Sequence, residues 1–237
     1  MQTVHRYERL PSTQDEAHRL AAEGAPAGTV VVAAEQVEGR GTRGRNWTSP
    51  VGGLWLSFLC RPTRLPGVEV LSLRVGLAAA EALAEVGGLP PASLKWPNDV
   101  IVNDRKVGGI LCEARWHGDL LAWVVVGLGL NVRNPLPTDA RVAPGRLADW
   151  RQDLEPDHIL WPLVGSLLPL AETGSGLSAA ELRAFGQRDW LLGRELAEPE
   201  RGRAAGIEPD GALRVLKPDG QIVRVSSGSV VLARDAP

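Results

Sequence analysis

Cysteine is nearly absent. Cys60 and Cys112 are the only two, and each sits in an apolar, strand-like run. That excludes a disulfide-stapled scaffold and reads as two buried thiols in a reducing cytosol. Long hydrophobic runs are missing as well: none approaches 18 apolar residues, and the N-terminus Met1-Gln2-Thr3-Val4-His5-Arg6 has no apolar h-region. The expectation is a cytoplasmic protein with no signal peptide and no membrane span. Neither sign of charge is in excess, since the net charge is -2, and this excludes wholesale electrostatic binding to nucleic acid. Histidine is scarce and scattered (His5, His18, His117, His158), so no metal-ligand cluster is spelled out, and there is no Gly-x-Ser-x-Gly nucleophile elbow. Lysine is scarcest among the charges. Lys95, Lys106 and Lys217 are the only three among 26 basic residues, the rest being arginine. A chain so biased toward the planar guanidinium still places two compact point charges, Lys95 and Lys106, 11 residues apart.

What remains is an ordinary globular composition, 44% hydrophobic and 23% charged over 237 residues. That suits one large domain, or one domain and a small module. The densest local signal is Gly39-Arg40-Gly41-Thr42-Arg43-Gly44-Arg45-Asn46-Trp47, three arginines and three glycines with no acid among them. Glycine lets backbone approach a ligand closely, and arginine forks match carboxylate and phosphate oxygens. It reads either as a loop that closes over an anion or as a solvated basic loop. The string Gly39-x-Gly41-x-x-Gly44 satisfies a dinucleotide fingerprint literally. However, it runs into Trp47-Thr48-Ser49-Pro50, which cannot open a helix, and no acid follows before Glu69.

Along the chain, residues 5–10 read as a strand. The pair Thr13 and Glu16 has capping-box spacing at the start of a helix that Gly24 stops, and hydroxyls at such a start can also grip a polar ligand. Residues 29–35 read as a β-branched strand, 54–60 as a buried strand, and 68–86 as an amphipathic helix. A strand over 93–100 breaks at Pro97. Residues 101–113 form a hairpin turning at Asn103-Asp104, with Gly108-Gly109 marking a close approach to its backbone. In the strand over 121–132, alternation puts Leu128, Leu130 and Val132 on one face and Gly127, Gly129 and Asn131 on the other. The second face is a smooth shelf, suited to a flat ring or to tight packing. Residues 134–148 read as loop. A helix over 156–171 is broken by Pro162 and Pro169, and another runs from Ser178 to about Trp190. From Leu192 short β-runs alternate with Pro-Asp-Gly turns, as in a small antiparallel barrel. An arginine loop, two lysines, an Asn-Asp pair and glycine-lined strands suit electrostatic stabilisation of a phosphorylated reactant.

Five stretches occur in order: Ser12-Thr13-Gln14; Gln36 with the 39–47 loop; Lys95-Trp96-Pro97-Asn98-Asp99; Lys106-Val107-Gly108-Gly109-Ile110-Leu111; and Gly127-Leu128-Gly129-Leu130-Asn131. With these the chain resembles the biotin–protein ligases over essentially its whole length, in the monofunctional form without an N-terminal DNA-binding domain. The resemblance implies an α+β fold: a central mixed β-sheet flanked by helices, the class II synthetase-like biotin–lipoate ligase core, followed by a small SH3-like β-barrel. The domains implied are a catalytic domain at 1–190 and a C-terminal module at 191–237. It implies two half-reactions, formation of biotinyl-5′-AMP from biotin and ATP with Mg²⁺, then transfer of biotin to a lysine of a biotin carboxyl carrier domain of acetyl-CoA carboxylase or a related carboxylase. It leaves room for a homodimer and gives no role to nucleic acid or membrane.

Residue roles follow from resemblance and chemistry together. Ser12, Thr13, Gln14 and Gln36 would hold the neutral ureido end of biotin. Arg40, Gly41 and Thr42 would lie along its carboxylate and the adenylate, with Lys106 and Gly109 completing that site. ATP would be met by Arg40, Arg43, Arg45, Trp47, Lys95, Asn98, Lys106 and Asn131. The catalytic set is Lys106, bridging carboxylate and α-phosphate, with Arg40, and with Asp99 orienting or deprotonating the incoming lysine; Mg²⁺ would come with ATP rather than from a protein cluster. Two departures stand out: Thr42 occupies a position where the family often has arginine, and Arg234 lies near, but not in clear register with, a basic residue that can reach the nucleotide. A lipoate–protein ligase or octanoyltransferase shares the core, and a biotin-sensing repressor is the rival from another class.

Overall fold

The computed structural model describes residues 3–62, 68–138, 142–171 and 176–235, with the side chains of Val68, Glu69 and Arg234 outside the description. Seven strands make the larger sheet: β1 (Val4–Leu10), β2 (Val30–Gln36), β3 (Leu54–Cys60), β4 (Ala92–Lys95), β5 (Asp99–Val102), β6 (Arg105–His117) and β7 (Leu120–Leu130). Their spatial order is β1-β2-β3-β7-β6-β5-β4. Only β1 and β2 pair in parallel, joined by the crossover helix α1 (Thr13–Ala22); every other pairing is antiparallel. The sheet is therefore mixed, as the resemblance implies.

The apolar runs decide which face each helix covers. β3 is buried along its whole length because both faces are covered. Leu54, Leu56, Phe58 and Cys60 face the main core with α2 (Val68–Val86) and α3 (Pro156–Leu167). Leu59 faces a smaller core under α1, with Ala17, Ala21, Val31, Trp123 and Val125. Full burial of each large apolar side chain contributes roughly 1.5–3 kcal/mol. Helix α2 spans the residues its periodicity marks, while other boundaries differ. Helix α3 runs through Pro162 and yields to a 3₁₀ turn only at Leu168–Leu170. Helix α4 (Ala179–Gly186) ends well short of Trp190. The helix start at 12–16 also differs. Ser12, not Thr13, is the N-cap of α1, accepting from the Gln14 amide, and Glu16 accepts instead from Tyr7 and Arg19. Thr13 is thereby released for other bonds. Cys60 is buried as expected, but Cys112 is only half-buried.

The second sheet, β11-β10-β9-β8-β12, contains β8 (Glu195–Glu198), β9 (Gly202–Ile207), β10 (Leu213–Leu216), β11 (Ile222–Val225) and β12 (Val231–Leu232). Both Pro-Asp-Gly turns close as Asx turns, with Asp210 and Asp219 accepting from the amides of Ala212 and Gln221. This module's core, including Leu196, Leu213 and Val215, is continuous with the main core. Trp96 seals the junction by donating to the Gly211 carbonyl at 2.8 Å.

Arg74 of α2 is buried and donates to Glu181 of α4 at 2.6 Å. Burial pushes the Glu181 carboxyl up, but the Arg74 guanidinium and the Ser178 amide and hydroxyl outweigh it and hold the group near a pKa of about 2 against an ordinary 4.5. The folded pKa is thus depressed, so this pair's stabilisation is full above pH 4.5 and drains away as pH falls toward 2. With the carboxylate a quarter exposed, its worth is about 1–2 kcal/mol. In thermal melts from pH 6 to pH 2.5, Glu181→Gln should lower Tm at pH 6 and show a shallower acid decline than the parent.

Candidate active site

The centre of the site depends on a break in strand regularity. Lys106 and Gly109 are three apart, so in a regular strand they would point to opposite faces. Between β5 and β6 the register slips: Val100 faces Gly108, but Ile101 faces Lys106, which leaves Val107 as an extra residue. This bulge turns Lys106 onto the face of Gly109 and Asp99. There the Lys106 Nζ lies 2.5 Å from Asp99 Oδ1. Beside it, Gly109 pairs with Gly129 of β7. The two glycines form a shelf, and the indole of Trp47 lies on it. A Cβ on Gly129 would stand 2.5 Å from Trp47 Nε1, and one on Gly109 would be 3.2 Å from Cζ3. The Lys106 ammonium is 5.2 Å from the indole centroid. So the shelf does accept a flat ring, and that ring belongs to the loop itself.

Residues 39–47 form a short closed hairpin. The Trp47 amide donates to the Gly39 carbonyl, and the Gly41 amide to the Arg45 carbonyl, both at 2.8 Å. Arg43 sits at the tip with φ 62°, a left-handed conformation that costs energy outside glycine. The loop is held at three places. Arg40 donates to Asp15 of α1 at 2.7 and 2.9 Å and to Glu113 of β6 at 3.0 and 3.2 Å. With Asp15 first and Glu113 second, these carboxylates raise the arginine's already high pKa. Arg43 donates to the Ser229 hydroxyl at 3.0 Å, reaching the C-terminal module. Arg45 turns back onto Thr42, at 3.0 Å to its hydroxyl. Each of the loop's three arginines therefore already has a partner within the protein.

At the other end, Thr13 donates to Gln36 Oε1 through both its amide (2.8 Å) and its hydroxyl (3.0 Å). Gln36 Nε2 donates to Ser49 Oγ at 2.9 Å, and Ser49 to the Trp47 carbonyl at 2.9 Å. Gln14 lies against Gly127, its Nε2 turned to Glu113 at 3.0 Å and its Oε1 accepting from Ser57 at 3.0 Å. Ser12, Thr13, Gln14, Gln36, Arg40, Trp47, Lys106 and Gly109 are thus brought into one connected region. Lys95 and Asn98 are turned to structural bonds. Lys95 is buried, donates to the Val230 carbonyl at 3.2 Å and lies over Trp190; burial, the largest influence, lowers its pKa. Asn98 bonds the Ile110 carbonyl, while Asn131 accepts from Asn134. The side chain of Arg234 lies outside the described residues.

Sequence reasoning passed over Asp15, Ser49, Ser57 and Glu113. Ser57 is the one polar residue in the apolar run of β3, and Glu113 shares the alternation of Gly109 and Leu111; either signal was sufficient to flag them.

A seven-stranded mixed sheet with an arginine–glycine loop over Lys106, followed by a small five-stranded β-module, puts the chain in the α+β class. The family comparison makes this specific. Residues 7–131 match the biotin/lipoate A/B protein ligase family and residues 193–233 the biotin protein ligase C-terminal domain, so the chain belongs to the biotin/lipoate A/B protein ligase family. Within it the likeness is to biotin protein ligases. The chain is 33% identical to the biotin–[acetyl-CoA-carboxylase] ligase of Paracoccus denitrificans, over 91% of this chain and 95% of that one. It is 41% identical to the bifunctional ligase/repressor BirA of Bacillus subtilis across 55% of this chain, spanning 40% of that protein's length. The biotin protein ligase of Aquifex aeolicus in complex with biotin and ATP superposes with a TM-score of 0.79 at 29% identity, covering 98% of this chain and 99% of that one.

Proposed function

We propose that this chain is a biotin–protein ligase, which activates biotin with ATP and passes it to a carrier-domain lysine. The observation that carries the reading is the bulge-directed Lys106 beneath the Trp47 cover, beside Asp99. A carboxylate and an α-phosphate meeting there bring two negative charges together. One fixed ammonium between them offsets that repulsion and stabilises the charge that accumulates during transfer. A biotin carboxylate oxygen attacks the α-phosphorus, the bond to the bridging oxygen breaks, and pyrophosphate leaves. In the second half-reaction a neutral lysine amine attacks the acyl carbon, AMP departs with the former carboxylate oxygen, and the amine proton is lost.

The neutral donors and acceptors of Ser12, Thr13, Gln14 and Gln36 suit the uncharged ureido group. Arg40, Gly41 and Thr42 would lie along the carboxylate and adenylate, and Arg43, Arg45 and Lys95 would exchange their present partners for phosphate oxygens. Among the described residues no group of three His, Cys, Asp or Glu is placed to hold a metal. The Mg²⁺ would enter on the triphosphate as part of the substrate. Among the described residues no helix is long and apolar enough to cross a membrane, and the reaction is assigned to the cytosol, where ATP and carboxylase carriers are. We assign the catalytic domain to 1–190 and the C-terminal module to 191–237.

The test is incubation with biotin, Mg²⁺-ATP and a purified carrier domain, read by intact mass. One biotinyl group should appear on the carrier, and lipoate should give no adduct. No adduct from biotin, or an adduct from lipoate at a comparable rate, would overturn the assignment.

A further inference from the structure

One carboxylate in the site serves two elements at once. Glu113 Oε2 accepts from Gln14 Nε2 and from Arg40 Nη2, each at 3.0 Å, while Oε1 accepts from Arg40 Nε at 3.2 Å. Gln14 is on α1 and Arg40 is on the flap, whereas Glu113 is on β6, where it pairs with Val125 of β7. Helix α1 and the loop are therefore both bonded to one residue of the central sheet. The bond to Gln14 also fixes which way its amide points. Its nitrogen faces acceptors, Glu113 and the Val125 carbonyl at 3.4 Å, so Oε1 must face Ser57.

Glu113 has its own support. His18 is buried on α1, with Nε2 lying 3.5 Å from Glu113 Oε2. The Trp123 indole, which is only a donor, gives its N–H to His18 Nδ1 at 2.9 Å. Nδ1 must then carry the lone pair, so the neutral ring's proton sits on Nε2 and faces the carboxylate. The imidazole, followed by the Arg40 guanidinium, outweighs burial and holds the Glu113 carboxyl at about 2, so it is charged at neutral pH.

We propose that Glu113 is a positioning residue that couples the Gln14 amide, at the biotin end, to Arg40 of the flap, with His18 and Trp123 as its support. The biotin part rests on the proposed ligase reading; the flap part does not. A surface ion pair would matter little to either. If Glu113 positions both, Glu113→Gln should raise KM for biotin at least tenfold while KM for ATP moves less than twofold. Trypsin should cut after Arg43 and Arg45 at least fivefold faster in the ligand-free protein, followed by mass spectrometry of the loop peptides. Glu113→Asp, which keeps the charge but shortens the reach, should recover part of the biotin KM.

Equal rises in both KM values, or a lower melting temperature with both KM values and loop cleavage unchanged, would overturn the proposal by reducing Glu113 to a structural brace. Should the protein prove inactive with biotin, the trypsin comparison decides for or against the flap coupling without any substrate. Should Glu113→Gln fail to fold, His18→Asn replaces it: two- to fivefold shifts in biotin KM and loop cleavage support the proposal, and no shift in either overturns it.

Discussion

Replacing Lys106 by alanine is expected to cut biotin-dependent pyrophosphate release by about a hundred- to a thousandfold, the usual consequence of deleting one preorganised charge from a transition state. The fold should survive, because Lys106 is a partly exposed side chain on a bulge and not a core residue. Its removal does strand the Asp99 carboxylate, which is only 15% exposed and keeps no ammonium partner at 2.5 Å. An uncompensated, largely buried charge can destabilise by several kcal/mol. The double variant Lys106→Ala/Asp99→Asn separates the two effects. It should recover the melting temperature and leave adenylate formation as low as in the single variant. If instead the single variant released pyrophosphate at a near-normal rate, the central charge would have to be supplied by Arg40 or Lys95, and the bulge would have lost its purpose.

The way Lys106 reaches its place also shows what a linear reading can and cannot see. The shelf was legible. Strict alternation puts Leu128 and Leu130 into the core and Gly127 and Gly129 on the opposite face, and the structure keeps that division. The helix over 68–86 was legible to the residue, since its apolar spacing is long and uninterrupted. The bulge was not, because an extra residue in β6 exists only relative to the register of β5. Thr13 was misassigned to the cap for a similar reason. Ser12 and Thr13 are equally good caps in isolation, and only the Gln36 amide, 23 residues away, draws Thr13 out of that role. Glu113 was open to flagging through its alternation with Gly109 and Leu111, but its partners were not. What marks this carboxylate is the convergence of Gln14, His18 and Arg40 from two other elements. Residue types were readable, in short, where local period decides, and became unreadable where a distant partner decides.

Gly129→Ala should damage the site strongly, because the added methyl strikes the indole that lies on the shelf. Its Cβ would fall 2.5 Å from Trp47 Nε1 and 3.0 Å from Cε2, closer than real contacts allow. The indole is held over this strand because its own backbone is tied to Gly39 and Ser49. The ring must therefore rise off the strands and take the flap with it. Overpacking of this kind costs about 1–3 kcal/mol, which corresponds to a loss of ligand affinity of about ten- to a hundredfold if the closed flap is the binding form. Isothermal titration with biotin should show that loss, and trypsin should find Arg43 and Arg45 more readily. Gly165→Ala is the matched control. It sits on an exposed turn of α3 with nothing within 4 Å of its Cβ, and there alanine should stabilise by about 0.5–1 kcal/mol. A Gly129→Ala protein that bound biotin within twofold of the parent would mean that Trp47 leaves the shelf whenever ligand enters. Trp47 would then be a stopper to be displaced rather than a cover to be closed, and neither it nor the ligand would press on Gly129 in the bound form.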